Sequence, residues 1–414
     1  LYITLKIGSP MSVKTYITPS LSYVPLAETI EVIAKRENLY IGIPKEDYFD
    51  ENRIVLTPES VAVLVNNGHK VVIEHNAGIG SFFYDHDYST VGAIITYEKK
   101  EVYQAHIIVK SAPILEQEIE WMQPNQVVFS PIHVPILQAN LIEQLMQKRI
   151  IAIAFESIKD DSGTYPIVRA MSEIAGSSSI LTAARYLSNI ESNGKGILLG
   201  GISGVPPANI VILGAGVVAE FAARTALGLG ASVKIFDNSV YRLMRIQNNI
   251  GHRCFTSVIE PILLAKELKQ ADVVIGALKP KNGITPMVVS EEMVSQMKPG
   301  SVIVDVSIDH GGCFETSQIT THEHPVFVKH DVIHYCVPNI ASGVARTASR
   351  AISNVMMPIL MQCADWGGVE ALIQSKVGIR SGVYLFKGCI TNAPIAKRFN
   401  FKYTDLDLLL ASQS

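Results

Sequence analysis

No excess of either charge marks this chain: among its 414 residues, 35 lysines and arginines face 38 aspartates and glutamates, a formal net charge of −3. Nucleic acid or an anionic membrane would each demand a basic face, so neither is an expected partner. No apolar run reaches the roughly 18 residues needed to cross a bilayer. Cysteine is sparse. The five, Cys254, Cys313, Cys336, Cys363 and Cys389, form no CxxC pair and are odd in number, which points to a reduced, cytoplasmic setting. Leu1 to Pro10 is apolar but carries Lys6 and no small-residue cleavage signature, so it makes a poor secretory signal. Low-complexity tracts and solenoid-scale repeats are also missing.

Apolar material is present in quantity: 48% of residues are hydrophobic and 18% charged, the balance of a globular chain with ample core. The length suits two or three domains, and two are expected. Residues 1–38 show no clear period and read as an extension packed on a surface. From Leu39 the pattern sharpens. LYIGIP, KVVIE, HIIVK, QVVFS and IIAIAFE are strands, separated by helical segments such as Pro58 to Asn67, and their succession is that of a parallel α/β domain. Ile167 to Asn189, Ala- and Ser-rich and free of proline, reads as one long helix able to bridge domains. A second series follows in NIVILGAG, SVKIFD, DVVIGAL and SVIVDV, and the tail carries helices near Thr347 to Asp365 and Gly368 to Ser375.

The second series opens on a nucleotide fingerprint. Gly214, Ala215, Gly216, Val217, Val218 and Ala219 give G-x-G-x-x-A directly after an apolar strand, and Asp237 ends the next strand 21 residues after Gly216. Gly214 permits the tight turn, Gly216 lets backbone approach a pyrophosphate, and Ala219 keeps helix and strand close. The helix start, at Val217 and Val218, offers unpaired N–H groups to the anion. Asp237 would accept hydrogen bonds from the adenine-ribose hydroxyls and repel a 2′-phosphate, so NAD is expected over NADP. Arg242 either stacks on adenine or solvates the helix surface.

With these elements in place the chain resembles alanine dehydrogenases and, more distantly, the soluble NAD-binding subunit of proton-translocating nicotinamide nucleotide transhydrogenases. The motifs run from about Leu39 to Asp365: GIPKE, R-x-x-L-T-P (Arg53 to Pro58), N-G-H-x-V, MSEIAG, GKG-x-L-x-GG-x-x-GVPPA, MKPGSVIVD, D-x-GGCFE and HYCV-x-N. The resemblance implies a doubly wound Rossmann-type α/β domain, residues 167–347, inserted into a Rossmann-like substrate domain made of residues 39–166 and 348–414. It also implies a homo-oligomer, hexameric in the family, and NAD-dependent reversible conversion of L-alanine to pyruvate and ammonia.

Such a deamination needs an anchored carboxylate, a Cα–H facing the nicotinamide, and a proton carrier of near-neutral pKa. A guanidinium grips a carboxylate through two parallel hydrogen bonds, and Arg53 matches the family's substrate-binding arginine. On the residues alone it is as readily an arginine paired with Asp50 or Glu51. His133, at the C-terminal end of QVVFS, matches the catalytic histidine. Where the family has K-V-K-E-P, this chain has Val109, Lys110, Ser111, Ala112, Pro113, so that K-S-A-P is one residue shorter and holds a single lysine. Either Lys110 takes the substrate role or the segment follows the K-V-N-A-P form of transhydrogenases; His133 favours the first. Asp309 matches the aspartate beside the nicotinamide ribose, Val337 and Asn339 those holding ring and carboxamide, and Ser172 a pyrophosphate or ribose contact. His310 stands where glutamine is usual, and Ala345 where proline is.

The cluster His322, His324, His330, His334 and Cys336 suggests a metal, but VIHYCV reads as a strand, where residues four apart stand about 13 Å from one another. No metal is expected. A transhydrogenase subunit, needing a membrane partner, and a catalytically weakened dehydrogenase paralogue are the alternatives in view.

Overall fold

The computed structural model describes residues 37–48, 50–132, 137–190, 194–279 and 284–412. Nearly all of the expected N-terminal extension lies outside that set. The first run of apolar segments becomes β1 (Tyr40–Ile43), β2 (Lys70–Glu74), β3 (Ile94–Thr96), β4 (Ile107–Val109), β5 (Val127–Ser130) and β6 (Ile151–Ala154). The second run becomes β7 (Asn209–Leu213), β8 (Ser232–Phe236), β9 (Phe255–Ser257), β10 (Val273–Gly276), β11 (Val302–Asp305), β12 (Val326–Lys329) and β13 (Val332–Tyr335). The tail contributes β14 (Val383–Phe386) and β15 (Cys389–Ile390).

Two sheets result. The first orders its strands β15-β14-β6-β5-β4-β1-β2-β3 and the second β12-β13-β11-β10-β7-β8-β9. Central strands are apolar on both faces and pair in parallel, as helix-covered sheets require. In each sheet the chain winds outward from one strand, β1 or β7, and then returns to that strand's other side with β4 or β10. A ligand crevice opens at such a reversal, beyond the strands' C-terminal ends. The first sheet is not wholly parallel as its early strands suggest. β14 runs antiparallel to β6, and β15 turns back on β14. Lys387 and Gly388, both at positive φ, form the tight hairpin between them. An antiparallel edge strand likewise closes the second sheet, β12 on β13.

Two long helices join the sheets. The crossing helix, Pro166–Leu187, opens on proline, whose missing N–H costs nothing at a first turn. Gly176 lets it lie against the helix Val217–Gly228: a Cβ there would stand 2.3 Å from the Val218 carbonyl oxygen. The return helix, Ala345–Asp365, lays Ile352, Met356 and Leu360 into the core of the first sheet. The chain therefore leaves the first sheet once and comes back to complete it.

Candidate functional site

Arg53 stands on the loop between β1 and the helix Pro58–Asn66, at the reversal of the first sheet. Three serines hold that loop. Ser342, in the short 3-10 turn Ile340–Val344, accepts from Asn52 N at 2.9 Å, Ser349 from Ile54 N at 2.9 Å, and Ser353 from Thr57 N at 3.0 Å. Three backbone donors of an irregular segment are thus satisfied by side chains. Ser349 and Ser353 are one helical turn apart on the return helix, so both reach the same face.

The Arg53 guanidinium, 12% exposed, is gripped side-on by Glu51: Nε reaches Oε1 at 2.7 Å and Nη2 reaches Oε2 at 2.5 Å. Of the two readings open in the sequence, the pairing with Glu51 is what the structure displays, but in a half-buried setting. Nη1 approaches Met171 Sδ on the crossing helix at 3.4 Å. Glu51 also accepts from the Asn339 amide, Nδ2 to Oε2, at 3.1 Å. The Asn339 backbone N–H in turn donates to Asp309 Oδ1 at 3.1 Å. His322 N donates to Asp50 Oδ2 at 3.0 Å across the same junction. Asp50 and Asn339 both adopt left-handed backbone, φ +61 and +55, which Asp and Asn tolerate best among non-glycines. Burial raises the Tyr48 hydroxyl above its ordinary pKa, and the Glu51 and Asp309 carboxylates add to that.

Lys110 sits elsewhere. Its ammonium is fully buried, 2.8 Å from Glu46 Oε2 and 2.5 Å from Glu118 Oε1. Burial alone would favour losing the proton, but the two carboxylates outweigh it and the pKa is raised. Burial likewise raises Glu46, against the pull of Lys110. Ser111, next along, donates from Oγ to the Arg53 carbonyl at 2.8 Å. The lysine therefore supports the loop under Arg53 and presents no charge to the crevice. His133 lies outside the described residues, which stop at Ile132 and resume at Leu137. Beneath Ile132, Glu156 accepts its N–H at 2.7 Å, and burial raises this carboxyl to about 7.

The second reversal is built from backbone. Gly214, at φ +116, turns so tightly that a Cβ would lie 2.3 Å from the Ala277 carbonyl oxygen. Gly216 starts the helix Val217–Gly228 without a side-chain cap, and a Cβ there would meet no atom of the described residues within 4 Å. Protein packing thus does not demand this glycine, whereas an anion seated on the uncapped N–H groups of the first turn would; Val217 and Val218 lie there. These residues fit a dinucleotide. Ser172, half-buried on the crossing helix, and Val337, buried after β13, complete the expected set. Asp237 is committed internally. Its Oδ2 accepts from Ala215 N at 2.8 Å and its Oδ1 from Ser239 N at 2.7 Å and Arg242 Nη2 at 2.7 Å. Arg242 thus neither stacks nor merely solvates its helix: it closes on the acid.

Asp309 leaves β11 on a turn organised by Asp305, which receives Cys313 N at 2.9 Å and Ser317 Oγ at 2.7 Å. Gly312, at φ +78, is required because a Cβ would come within 2.6 Å of Asp305 Oδ2. Sequence reasoning missed Glu51 as a hub, Tyr48, the three serines and Glu156. Only Ser349 and Ser353 left a trace, a polar stripe on a helix face otherwise buried. Among the described residues no three His, Cys, Asp or Glu side chains are grouped to hold a metal. His334 is buried between Thr316, at 2.8 Å, and the Val332 carbonyl, and its pKa is lowered to about 4, chiefly by burial. No described helix is long and apolar enough to cross a membrane.

Comparison with known proteins agrees with this architecture. The family described as alanine dehydrogenase/PNT matches in both parts, its N-terminal domain over residues 42–175 and its C-terminal domain over residues 179–393. Alanine dehydrogenase 2 of Staphylococcus aureus is 38% identical over 368 residues, covering 89% of this chain and 98% of that protein. A solved structure of an L-alanine dehydrogenase superposes with a TM-score of 0.82 at 37% identity, over 87% of this chain and 99% of the other. A transhydrogenase from Sinorhizobium meliloti shares the fold, with a TM-score of 0.72 at 24% identity, over 85% and 99% of the two chains.

Proposed function

This chain belongs to the alanine dehydrogenase/PNT family of oxidoreductases, and from that premise we propose that it catalyses the NAD-dependent, reversible oxidative deamination of L-alanine to pyruvate and ammonia. The observation that carries the reading is the run Arg53, Glu51, Asn339, Asp309, which joins the two crevices by hydrogen bonds of 2.5 to 3.1 Å. A carboxylate anchor and the groups assigned to the nicotinamide side stand within one chain of contacts.

In this reading Arg53 takes the substrate carboxylate on its Nη1–Nη2 edge, in place of the contact with Met171 Sδ. Gly214, Gly216, Val217 and Val218 cradle the pyrophosphate with Ser172, while Asp237 and Arg242 meet the adenine ribose together. Val337 and Asn339 hold the nicotinamide, which supplies the hydride acceptor. The Cα–H leaves as hydride, water adds to the resulting imine, and ammonia departs to give pyruvate. Asp309 stabilises positive charge beside the reacting carbon, and His133 is assigned the proton transfers. Lys110 is assigned to the scaffold. A homo-oligomer in the cytoplasm, hexameric as in the family, completes the proposal.

The buried Lys110 favours one other reading, a weakened paralogue lacking a substrate lysine. NADH formation from L-alanine at alkaline pH, beside Arg53→Lys and His133→Ala, tests both. We expect turnover in the parent chain and a loss of about a thousandfold in kcat/KM for Arg53→Lys, since lysine keeps the charge but has no planar fork to hold Glu51 on one edge and the substrate carboxylate on another. Negligible turnover in the parent chain would favour the paralogue.

A further inference from the structure

We propose that Glu51 is a positioning residue: it aims the Arg53 guanidinium at the substrate and makes that aim depend on the nucleotide-side lobe. The inference rests on Arg53 being the substrate anchor. Four donors converge on this one carboxylate. Arg53 N at 2.9 Å and Nε at 2.7 Å meet Oε1, while Arg53 Nη2 at 2.5 Å and Asn339 Nδ2 at 3.1 Å meet Oε2. With a side chain 2% exposed, Glu51 has no need of water to satisfy its charge.

A planar guanidinium offers a carboxylate two edges, the side edge of Nε and Nη2 and the end edge of Nη1 and Nη2. Glu51 fills the side edge. What remains is the end, where, among the described residues, Nη1 faces only the weak acceptor Met171 Sδ. A substrate carboxylate is therefore directed to one face of Arg53, toward the crossing helix, and replaces a poor contact with a charge-assisted one. Glu51 does not behave as a stand-in substrate that must leave. Swinging it out would surrender the Arg53 backbone bond and the Asn339 bond together, and would leave a buried cation unpaired. Because Asn339 touches Glu51 with its amide and Asp309 with its N–H, a shift of residue 339 passes through a single carboxylate to Arg53.

The test uses the full chain, steady-state kinetics with L-alanine and fluorescence titration with NADH. Glu51→Gln keeps the shape and removes the charge; it should raise KM for L-alanine about tenfold or more, with kcat within about threefold and the NADH dissociation constant within about threefold. A general structural defect would move all three. Glu51→Asp keeps the charge on a shorter stem and should fall between, and it carries the test if the glutamine variant fails to fold. Asn339→Ala should raise the alanine KM less in the Glu51→Gln background than in the parent, because the relay is already cut. An unchanged KM in Glu51→Gln overturns the proposal, and so does a lower one, which would mean that Glu51 competes for the clamp. Strictly additive effects with Asn339→Ala overturn the relay. If Arg53→Lys also leaves KM unchanged, the substrate-anchor reading itself fails, which separates the two failures.

Discussion

The two crevices are made of different materials. At Gly214 and Gly216 the nucleotide cradle consists of backbone donors, one positive-φ turn and a place where no side chain of the described residues stands. At Arg53 the substrate crevice and the scaffold behind it consist of charged side chains already engaged with one another, Arg53 with Glu51 in the crevice and Lys110 with Glu46 and Glu118 behind it. A backbone site is pre-aimed by the fold and carries little cost when empty. A site of buried charges must neutralise itself before a ligand arrives, because an unpaired ion out of water costs several kcal/mol. The consequence is that substitutions in the two regions should separate stability from binding in opposite ways.

The largest expected effect breaks the charged side. Lys110→Met strands two buried carboxylates and should remove about 4 kcal/mol of stability in urea unfolding, with KM for L-alanine unchanged in the protein that remains folded. Native stability with a raised KM would put the lysine back on the substrate. Next, the charged lobe should titrate where the cradle does not. Glu156 has a folded pKa of about 7 against an ordinary 4.5, so the folded state holds a proton that the unfolded state releases. Its contribution is full below pH 4.5 and is lost as pH rises through 7, a change on the order of 3 kcal/mol. Stability measured from pH 4.5 to 8 should show this decline in the parent and not in Glu156→Gln; identical profiles would refute it.

The smallest effects sharpen the backbone side. Gly214→Ala collides with the Ala277 carbonyl at an unfavourable φ and should lower stability by about 2 kcal/mol, seen as a lower Tm. Gly216→Ala meets no atom of the described residues, so Tm should hold while NADH affinity falls by about 2 kcal/mol, roughly thirtyfold. Loss of Tm at residue 216 with intact affinity would show that the open space serves folding and not a ligand.

Legibility followed the same division. The strands β1, β7 and β11 and the fingerprint helix were readable because each is a local pattern: an apolar run, a glycine spacing, an acid at a strand end. β3, β9, β12 and the hairpin β14–β15 carry no such signal and lie at the sheet edges, and they exist because an established edge offers them partners. Arg53 was recognisable as a candidate anchor. That Glu51 would saturate it, that Arg242 would close on Asp237, and that Ser342, Ser349 and Ser353 would serve the loop of residues 52–57 all depend on contacts between distant positions, up to 296 residues apart for Thr57 and Ser353.

Sequence alone determined the α/β class, the doubly wound series and the backbone cradle, because short-range periodicity and glycine stereochemistry act within a few residues. Only tertiary structure decided which charges are paired and which edge of Arg53 stays open. Burial sets those choices, and burial is a property of how the return helix and the nucleotide lobe close over the first sheet.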